Sequence, residues 1–157
     1  HNEHVVNGDL RNLLDLYSQG RYPEILCPLV DVLKVLISNK CDDGPHCECN
    51  DDIAICAIAI VDSMYRMGQY QECLNTIQHY SNEKYFHSNR ALPELLRGWC
   101  YLVLSRHGQA EEIARKIVPA DELRLGETLE SLSVAAEVLA VKPARTARAN
   151  VPALEIP

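Results

Sequence analysis

Apolar residues return every three or four positions along most of the chain, a spacing that predicts amphipathic α-helices. Polar stretches or glycines separate the periodic segments. We predict helices over residues 8–19, 23–37, 51–67, 71–80, 92–106, 110–118 and 121–141. Asp9 is the expected N-cap of the first helix, and Pro28 predicts a kink or a later start in the second. Residues 53–61 are apolar on nearly all sides, which is expected of a central helix.

The composition changes after residue 142. Pro143 ends the helical pattern, and residues 143–157 contain two further prolines and a short apolar run, Val151 to Ile156. Such a composition favours extended backbone. We therefore divide the chain into a helical domain, 8–142, and an extended tail or docked peptide-like segment, 143–157. The run Val151–Ile156 is expected to dock on the chain's own groove or on a neighbouring copy.

One motif occurs three times where two predicted helices meet. An apolar helix end is followed by a glycine, one polar residue, a tyrosine or alanine, and a second apolar helix. The three glycines are Gly20, Gly68 and Gly108. A glycine can adopt a positive φ without a Cβ penalty, so each motif predicts a helical hairpin.

These motifs resemble the tetratricopeptide repeat over roughly residues 8–118. The large apolar position, the aromatic position after the glycine and the small position three residues later are matched in part. The large apolar position is matched by Leu16, Met64 and Leu104. The aromatic position is matched by Tyr22 and Tyr70, whereas Ala110 departs from it. The small position is matched by Cys73, whereas Ile25 and Ile113 are larger than usual. The glycines are 48 and 40 residues apart, whereas the period of the family is about 34 residues. A generic helical bundle built from glycine-turned hairpins remains the alternative.

The resemblance implies an all-α fold, in which antiparallel helical hairpins stack as a right-handed array of about seven helices followed by the tail. It also implies a non-catalytic scaffold or adaptor that holds a peptide segment of a partner in a groove lined by the first helices. The candidate groove residues are polar or aromatic positions on otherwise apolar helices: Arg11, Asn12, Asp15, Asp62, Tyr65, Arg66, Arg97, Tyr101 and Arg106. The alternative for each is simple exposure to solvent.

Charge and composition narrow the classes of function. The net charge of −7 argues against nucleic acid as a partner and against an anionic membrane surface. No apolar run is long enough to span a membrane, so we expect no membrane insertion. Lys142, Arg145 and Arg148 form the only basic cluster. No nucleotide-binding or hydrolase motif occurs, so we expect neither catalysis nor a cofactor.

Seven cysteines indicate a reducing compartment, which is cytoplasmic, nuclear or an organelle stroma. We expect Cys27, Cys56, Cys73 and Cys100 to be buried in helices as small hydrophobes.

The remaining cysteines lie in a polar connection, where four soft ligands could bind zinc: Cys41, His46, Cys47 and Cys49. Their spacing is poor for a tetrahedral site. A metal- or redox-responsive module using residues 41–49 is therefore the alternative function, and self-association through the tail is a weaker one. The acids of the same connection could instead bind a basic partner: Asp42, Asp43, Glu48, Asp51 and Asp52.

Overall fold

A computed structural model describes residues 2–39, 48–87 and 90–117 of the 157-residue chain. Within these ranges the backbone forms six α-helices and no strand, which confirms the all-α prediction for this part of the chain. The helices are α1 (Asn2–Ser18), α2 (Tyr22–Ser38), α3 (Glu48–Arg66), α4 (Tyr70–Asn82), α5 (Ala91–Val103) and α6 (His107–Ile117).

Several helix boundaries differ from the sequence prediction. Helix α1 begins at Asn2, so Asp9 lies inside the helix and is not its N-cap. The apolar spacing extends back from Leu10 to Val6, and the intervening Gly8 costs a helix only about 1 kcal/mol. Helix α3 likewise begins at Glu48, before the predicted start at residue 51.

Helix α2 continues through Pro28 without interruption. Proline cannot donate the hydrogen bond that the carbonyl of Glu24 would otherwise accept. Both residues are exposed, so water can satisfy that carbonyl. The predicted later start of this helix is therefore wrong.

The helices pack in chain order as three successive hairpins. Helix α3 lies at the centre, in contact with α1, α2, α4 and α5. The first helices of neighbouring hairpins pack on each other, α1 on α3 and α3 on α5, whereas no close approach joins α2, α4 and α6 among the described residues. The hairpins are therefore closer together on the side of the first helices.

The core follows this arrangement. Most of α3 is buried, as the sequence predicts for a central helix, and Ile60 and Val61 have no exposed surface. Trp99 of α5 and Tyr65 of α3 are the largest fully buried side chains of the described residues. After α4, Phe86 folds back into the core and packs 6.0 Å from the ring of Tyr80.

Two of the predicted glycine hinges are confirmed. Gly20 and Gly68 have φ values of 79° and 80°. At each hinge the residue after the glycine donates its N–H to the carbonyl five residues earlier, over 3.1 Å from Arg21 to Leu16 and 2.9 Å from Gln69 to Met64. This is the Schellman motif, which satisfies the last carbonyls of a helix and turns the chain sharply.

The third hinge is not at the predicted glycine. Helix α5 ends at Val103, and Ser105 takes the positive φ, 61°, while Gly108 lies in the first turn of α6. The N–H of Arg106 bonds to the carbonyl of Tyr101 over 2.7 Å, which reproduces the Schellman geometry. The third hairpin is therefore offset by three residues, and Ala110 occupies the place of Ile25 and Cys73.

The cysteine prediction is confirmed at three of four positions. Cys56, Cys73 and Cys100 are fully buried, whereas Cys27 is exposed. Cys27 is two residues from both Ile25 and Leu29, the nearest buried positions of α2, and so faces away from the core.

Three further predictions lie outside the described residues. They are the seventh helix at 121–141, the tail at 143–157 and the ligand set Cys41, His46 and Cys47. Cys49 falls in the first turn of α3, but its side chain is not described. None of the helices in the described ranges is long and apolar enough to cross a membrane.

The position of the third hinge can be tested with one substitution made at two glycines. Gly68→Ala places a Cβ at a positive φ, so we expect it to lower the free energy of unfolding by about 1–2 kcal/mol. Gly108→Ala places a Cβ in open space within a helix, so we expect it to raise that free energy by up to about 1 kcal/mol. Urea denaturation measures both free energies. An equal loss of stability in Gly108→Ala would show that the hinge lies at Gly108, as the sequence predicted.

Candidate functional site

An open groove runs between the first helices of the first two hairpins. It encloses about 540 Å³. Helices α1 and α3 supply its walls, and the lining residues are Leu10, Arg11, Leu14, Asp15, Asp51, Asp52 and Ile55. We refer to it as the α1–α3 groove.

The floor of the groove is apolar and partly open to solvent. Leu10 is almost fully buried, Leu14 is half-buried, and Ile55 keeps 44% of its surface exposed. Ile55 is one of two large hydrophobic side chains that remain exposed among the described residues; the other is Val35 on α2, with 39% exposed. The exposed part of Ile55 is therefore surface that a partner could cover.

The rim of the groove is acidic. Three carboxylates, those of Asp15, Asp51 and Asp52, face one guanidinium, that of Arg11, which leaves a formal charge of −2. Asp15 and Asp51 are exposed, and no described residue forms an ion pair with either of them. An apolar floor with this rim complements a segment that carries both basic and apolar side chains.

A cluster of charged and aromatic side chains joins the same two helices further along. Tyr17 of α1 donates a hydrogen bond from its Oη to Oδ2 of Asp62 on α3. Arg66 donates from Nε to the same oxygen over 2.9 Å. The guanidinium of Arg66 lies 5.7 Å from the ring centroid of Tyr22 on α2, and that ring packs edge-to-face on Tyr17. We call these four residues the clasp.

Helical periodicity places the clasp and the groove along one line of contact between α1 and α3, which we call the seam. On α3, Ile55, Asp62 and Arg66 are seven and four residues apart, so they share a face of the helix. On α1, Leu10, Leu14 and Tyr17 are four and three residues apart and also share a face. The seam between α1 and α3 is therefore open where it forms the groove and joined by hydrogen bonds at the clasp.

Burial and charge shift the ionisation of the clasp. The side chain of Asp62 has no exposed surface and that of Arg66 has 6%. Burial, the charge of Asp62 and the hydrogen bond to it all raise the pKa of Tyr17 above its usual range. Burial alone would lower the pKa of Arg66, but the charge of Asp62 and the hydrogen bond to it outweigh that effect and raise it. Tyr17 is therefore a neutral phenol and Arg66 is charged at neutral pH.

The clasp lies at the first junction, between the first and second hairpins. The second junction, between the second and third hairpins, has different side chains at the equivalent positions. Tyr65 and Tyr70 form an edge-to-face pair with ring centroids 5.6 Å apart, in the places of Tyr17 and Tyr22. The place of Asp62 is taken by Trp99, which is fully buried. The second junction thus has a buried indole at the position where the first has a buried carboxylate.

The structure brings two predicted groove residues together and separates others. Arg11 and Asp15 line the groove, whereas Asn12 lines a different cavity between α1 and α2. Asp62 and Tyr65 have no exposed surface, so a partner cannot touch them without rearrangement of the fold. They looked like surface residues because polar side chains on apolar helices usually face water, but here they are covered by the neighbouring hairpins.

The remaining predicted residues lie further from the groove. Arg66 belongs to the clasp. Arg97 is held by two bonds to Glu94, over 2.8 and 2.9 Å, and approaches Tyr101, whose ring centroid is 5.7 Å away. Arg106 lies in the turn before α6 and donates to Gln71 over 3.3 Å, so it is not on a first helix.

Sequence reasoning missed the residues that give the groove its floor and its fixed width. Leu10, Leu14 and Tyr17 lie in the helix predicted at 8–19, and Ile55 lies in the apolar segment 53–61, but none of them was predicted as a site residue. Asp51 and Asp52 were two of the five acids considered for a basic partner, and their place beside α1 was not predicted. No group of three or more histidine, cysteine or acidic side chains within residues 2–39, 48–87 and 90–117 could hold a metal ion.

Comparison of the chain with protein-family models, with curated proteins and with solved structures finds no match. The repeat resemblance therefore depends on the three hinges and the helix contacts alone.

If the clasp stabilises the fold, substitutions at two acidic residues, one inside the clasp and one outside it, should lower the free energy of unfolding by unequal amounts. Asp62→Asn removes a buried charge and breaks the buried ion pair with Arg66, so we expect a loss of about 3–5 kcal/mol in the free energy of unfolding. Glu24→Gln removes an exposed pair to Arg21, whose side chains are 55% and 49% exposed, and should cost less than about 1 kcal/mol. Urea denaturation distinguishes them, and equal losses would contradict a structural role for the clasp.

The buried tyrosines predict instability at alkaline pH. Burial raises the pKa of Tyr70 and of Tyr80 to about 12, and that of Tyr17 and Tyr65 above this. Above the ordinary tyrosine pKa of about 10, the unfolded chain loses these protons first, so stability is complete below pH 10 and falls as the pH rises towards 12. Urea midpoints measured across this range, with tyrosinate absorbance as a second signal, check the prediction, and a constant midpoint would contradict it.

Proposed function

We propose that this chain is a non-catalytic protein-interaction module, built from stacked hairpins in the manner of tetratricopeptide repeats. Its α1–α3 groove binds a peptide segment of a partner that carries basic and apolar side chains. The observation that carries the proposal is the acidic rim of Asp15, Asp51 and Asp52 around an apolar floor that includes the exposed Ile55.

The stacking proposal is supported by the geometry of the hinges and contacts. The first helix of each hairpin, α1, α3 and α5, ends in a Schellman turn that leads within four residues into the second helix. Helix α4 ends in the same turn, at Lys84, but a longer connection separates it from α5. The first helices pack on each other while the second helices are further apart in the described part of the chain. Such spacing favours a concave surface on the side of α1, α3 and α5, which is where the groove lies.

Binding of a peptide in this groove costs the protein little conformational entropy. Both walls of the groove are helices, and the clasp fixes their separation, so few groups of the protein lose freedom on binding. The exposed part of Ile55 contributes apolar contact. Asp15 and Asp51, which form no ion pair with the described residues, attract basic side chains over a range of about 10 Å at 0.1 M salt. Affinity is therefore expected to fall as the salt concentration rises.

The binding experiment uses a short fluorescent peptide of alternating arginine, alanine and leucine, here called the Arg/Leu probe. Fluorescence anisotropy with the full chain should detect saturable binding, whereas the same peptide with glutamate in place of arginine should not bind. Absence of saturable binding by the Arg/Leu probe would contradict the proposed function.

A matched pair of substitutions locates the binding site. Ile55→Ser removes the apolar floor and should weaken probe binding about fivefold, because it removes about 1 kcal/mol of apolar contact. Val35→Ser makes the same kind of change at the other exposed hydrophobic residue, on α2 and outside the groove, and should leave binding unchanged. Circular dichroism confirms that both variants keep their helices, and equal effects of the two would place the site elsewhere.

A further inference from the structure

The chain itself contains a segment with the chemistry that the groove requires. Residues 142–157 read KPARTARANVPALEIP. Lys142, Arg145 and Arg148 supply three positive charges against the single acid Glu155, and the apolar run Val151–Ile156 follows directly. On a chain with a net charge of −7, this segment is a local excess of positive charge.

We infer that residues 142–156 bind in the α1–α3 groove of the same chain and compete there with a partner peptide. This inference rests on the proposed function, because the partner and the segment would use one groove. The basic side chains meet Asp15, Asp51 and Asp52, and one apolar side chain of the following run covers Ile55. The segment thereby lowers the affinity of the module for its partner.

The length of the intervening chain permits this contact. Helix α6 ends at Ile117, which leaves 24 residues before Lys142. Neighbouring helices in a stack are about 8–10 Å apart, so α1 lies about two such steps from α5. Twenty-four residues span about 36 Å as a helix and about 80 Å when extended, so either conformation reaches α1.

Charge complementarity favours this occupant over other parts of the chain. In the described ranges the exposed basic residues are isolated or paired: Arg21 pairs with Glu24 and Arg115 with Glu111. Lys84 and Arg90 line a separate cavity at the junction of α4 and α5, beside Glu94. By contrast, Lys142, Arg145 and Arg148 lie close together in the sequence and directly precede the apolar run Val151–Ile156.

The first measurement is zero-length crosslinking of the full chain with a carbodiimide. The reagent joins the amine of Lys142 to a carboxylate that it contacts, forming an amide with net loss of one water. We expect a crosslink from Lys142 to Asp15, Asp51 or Asp52 in the monomer fraction, identified by mass spectrometry after proteolysis. The variant Arg145→Glu/Arg148→Glu keeps Lys142 and should lose the crosslink.

The second measurement is the affinity of the Arg/Leu probe for the same variant. A tethered segment has an effective concentration of about 1 mM, so one that binds the groove at about 100 µM weakens probe binding about tenfold. Arg145→Glu/Arg148→Glu should therefore bind the probe about tenfold more tightly than the unmodified chain. The control Lys84→Glu/Arg90→Glu has the same net charge but leaves the segment intact, and should change affinity less than twofold.

The outcomes separate this inference from the proposed function. If the probe binds the unmodified chain and the tail variant equally and no crosslink forms, the intramolecular contact is wrong and the groove proposal stands. If the probe binds none of the variants, the proposed function fails and this inference fails with it. A Lys142 crosslink found only in covalent dimers would identify a second copy as the donor, which also overturns the intramolecular contact.

Discussion

The hydrogen bond from Tyr17 to the buried carboxylate of Asp62 is the contact on which the rest of this structure depends. It joins α1 to α3, and Arg66 extends the contact to the ring of Tyr22 on α2, so both helices of the first hairpin are held on the second. A buried ion pair adds little net stability, because desolvation offsets its attraction. Its main effect here is to fix where α1 lies, and so to set the width of the groove further along the same seam.

The hinges show how one backbone geometry arises from different residues. Gly20 and Gly68 adopt the positive φ without strain, while Ser105 adopts it with a side chain present. Ser105 is held there because the apolar positions on both sides of it, Leu102 and Ala110, are buried in the hydrophobic core. The packing of the helices therefore decides the hinge position, and glycine only lowers its cost.

The sequence predicted the parts of the fold that depend on local pattern. Helical periodicity located the six described helices, and Gly20 and Gly68 marked two turns correctly. Gly108 was misleading because glycine is tolerated in a first helical turn. Arg11 and Asp15 were identified as groove residues, but the contact between Tyr17 and Asp62 joins positions 45 residues apart. Local pattern carries no information on that pairing, so Asp62 was assigned to the surface.

A double-mutant cycle between Tyr17→Phe and Asp62→Ala tests most directly whether the clasp couples the first two hairpins. Phenylalanine keeps the ring and removes only the hydroxyl group, and the loss of the counterion of Arg66 is common to both backgrounds that lack Asp62. We expect a coupling free energy of at least about 1 kcal/mol in urea denaturation. Effects that add within about 0.3–0.5 kcal/mol would show that Tyr17 and Asp62 act independently, and that the clasp does not couple the two hairpins.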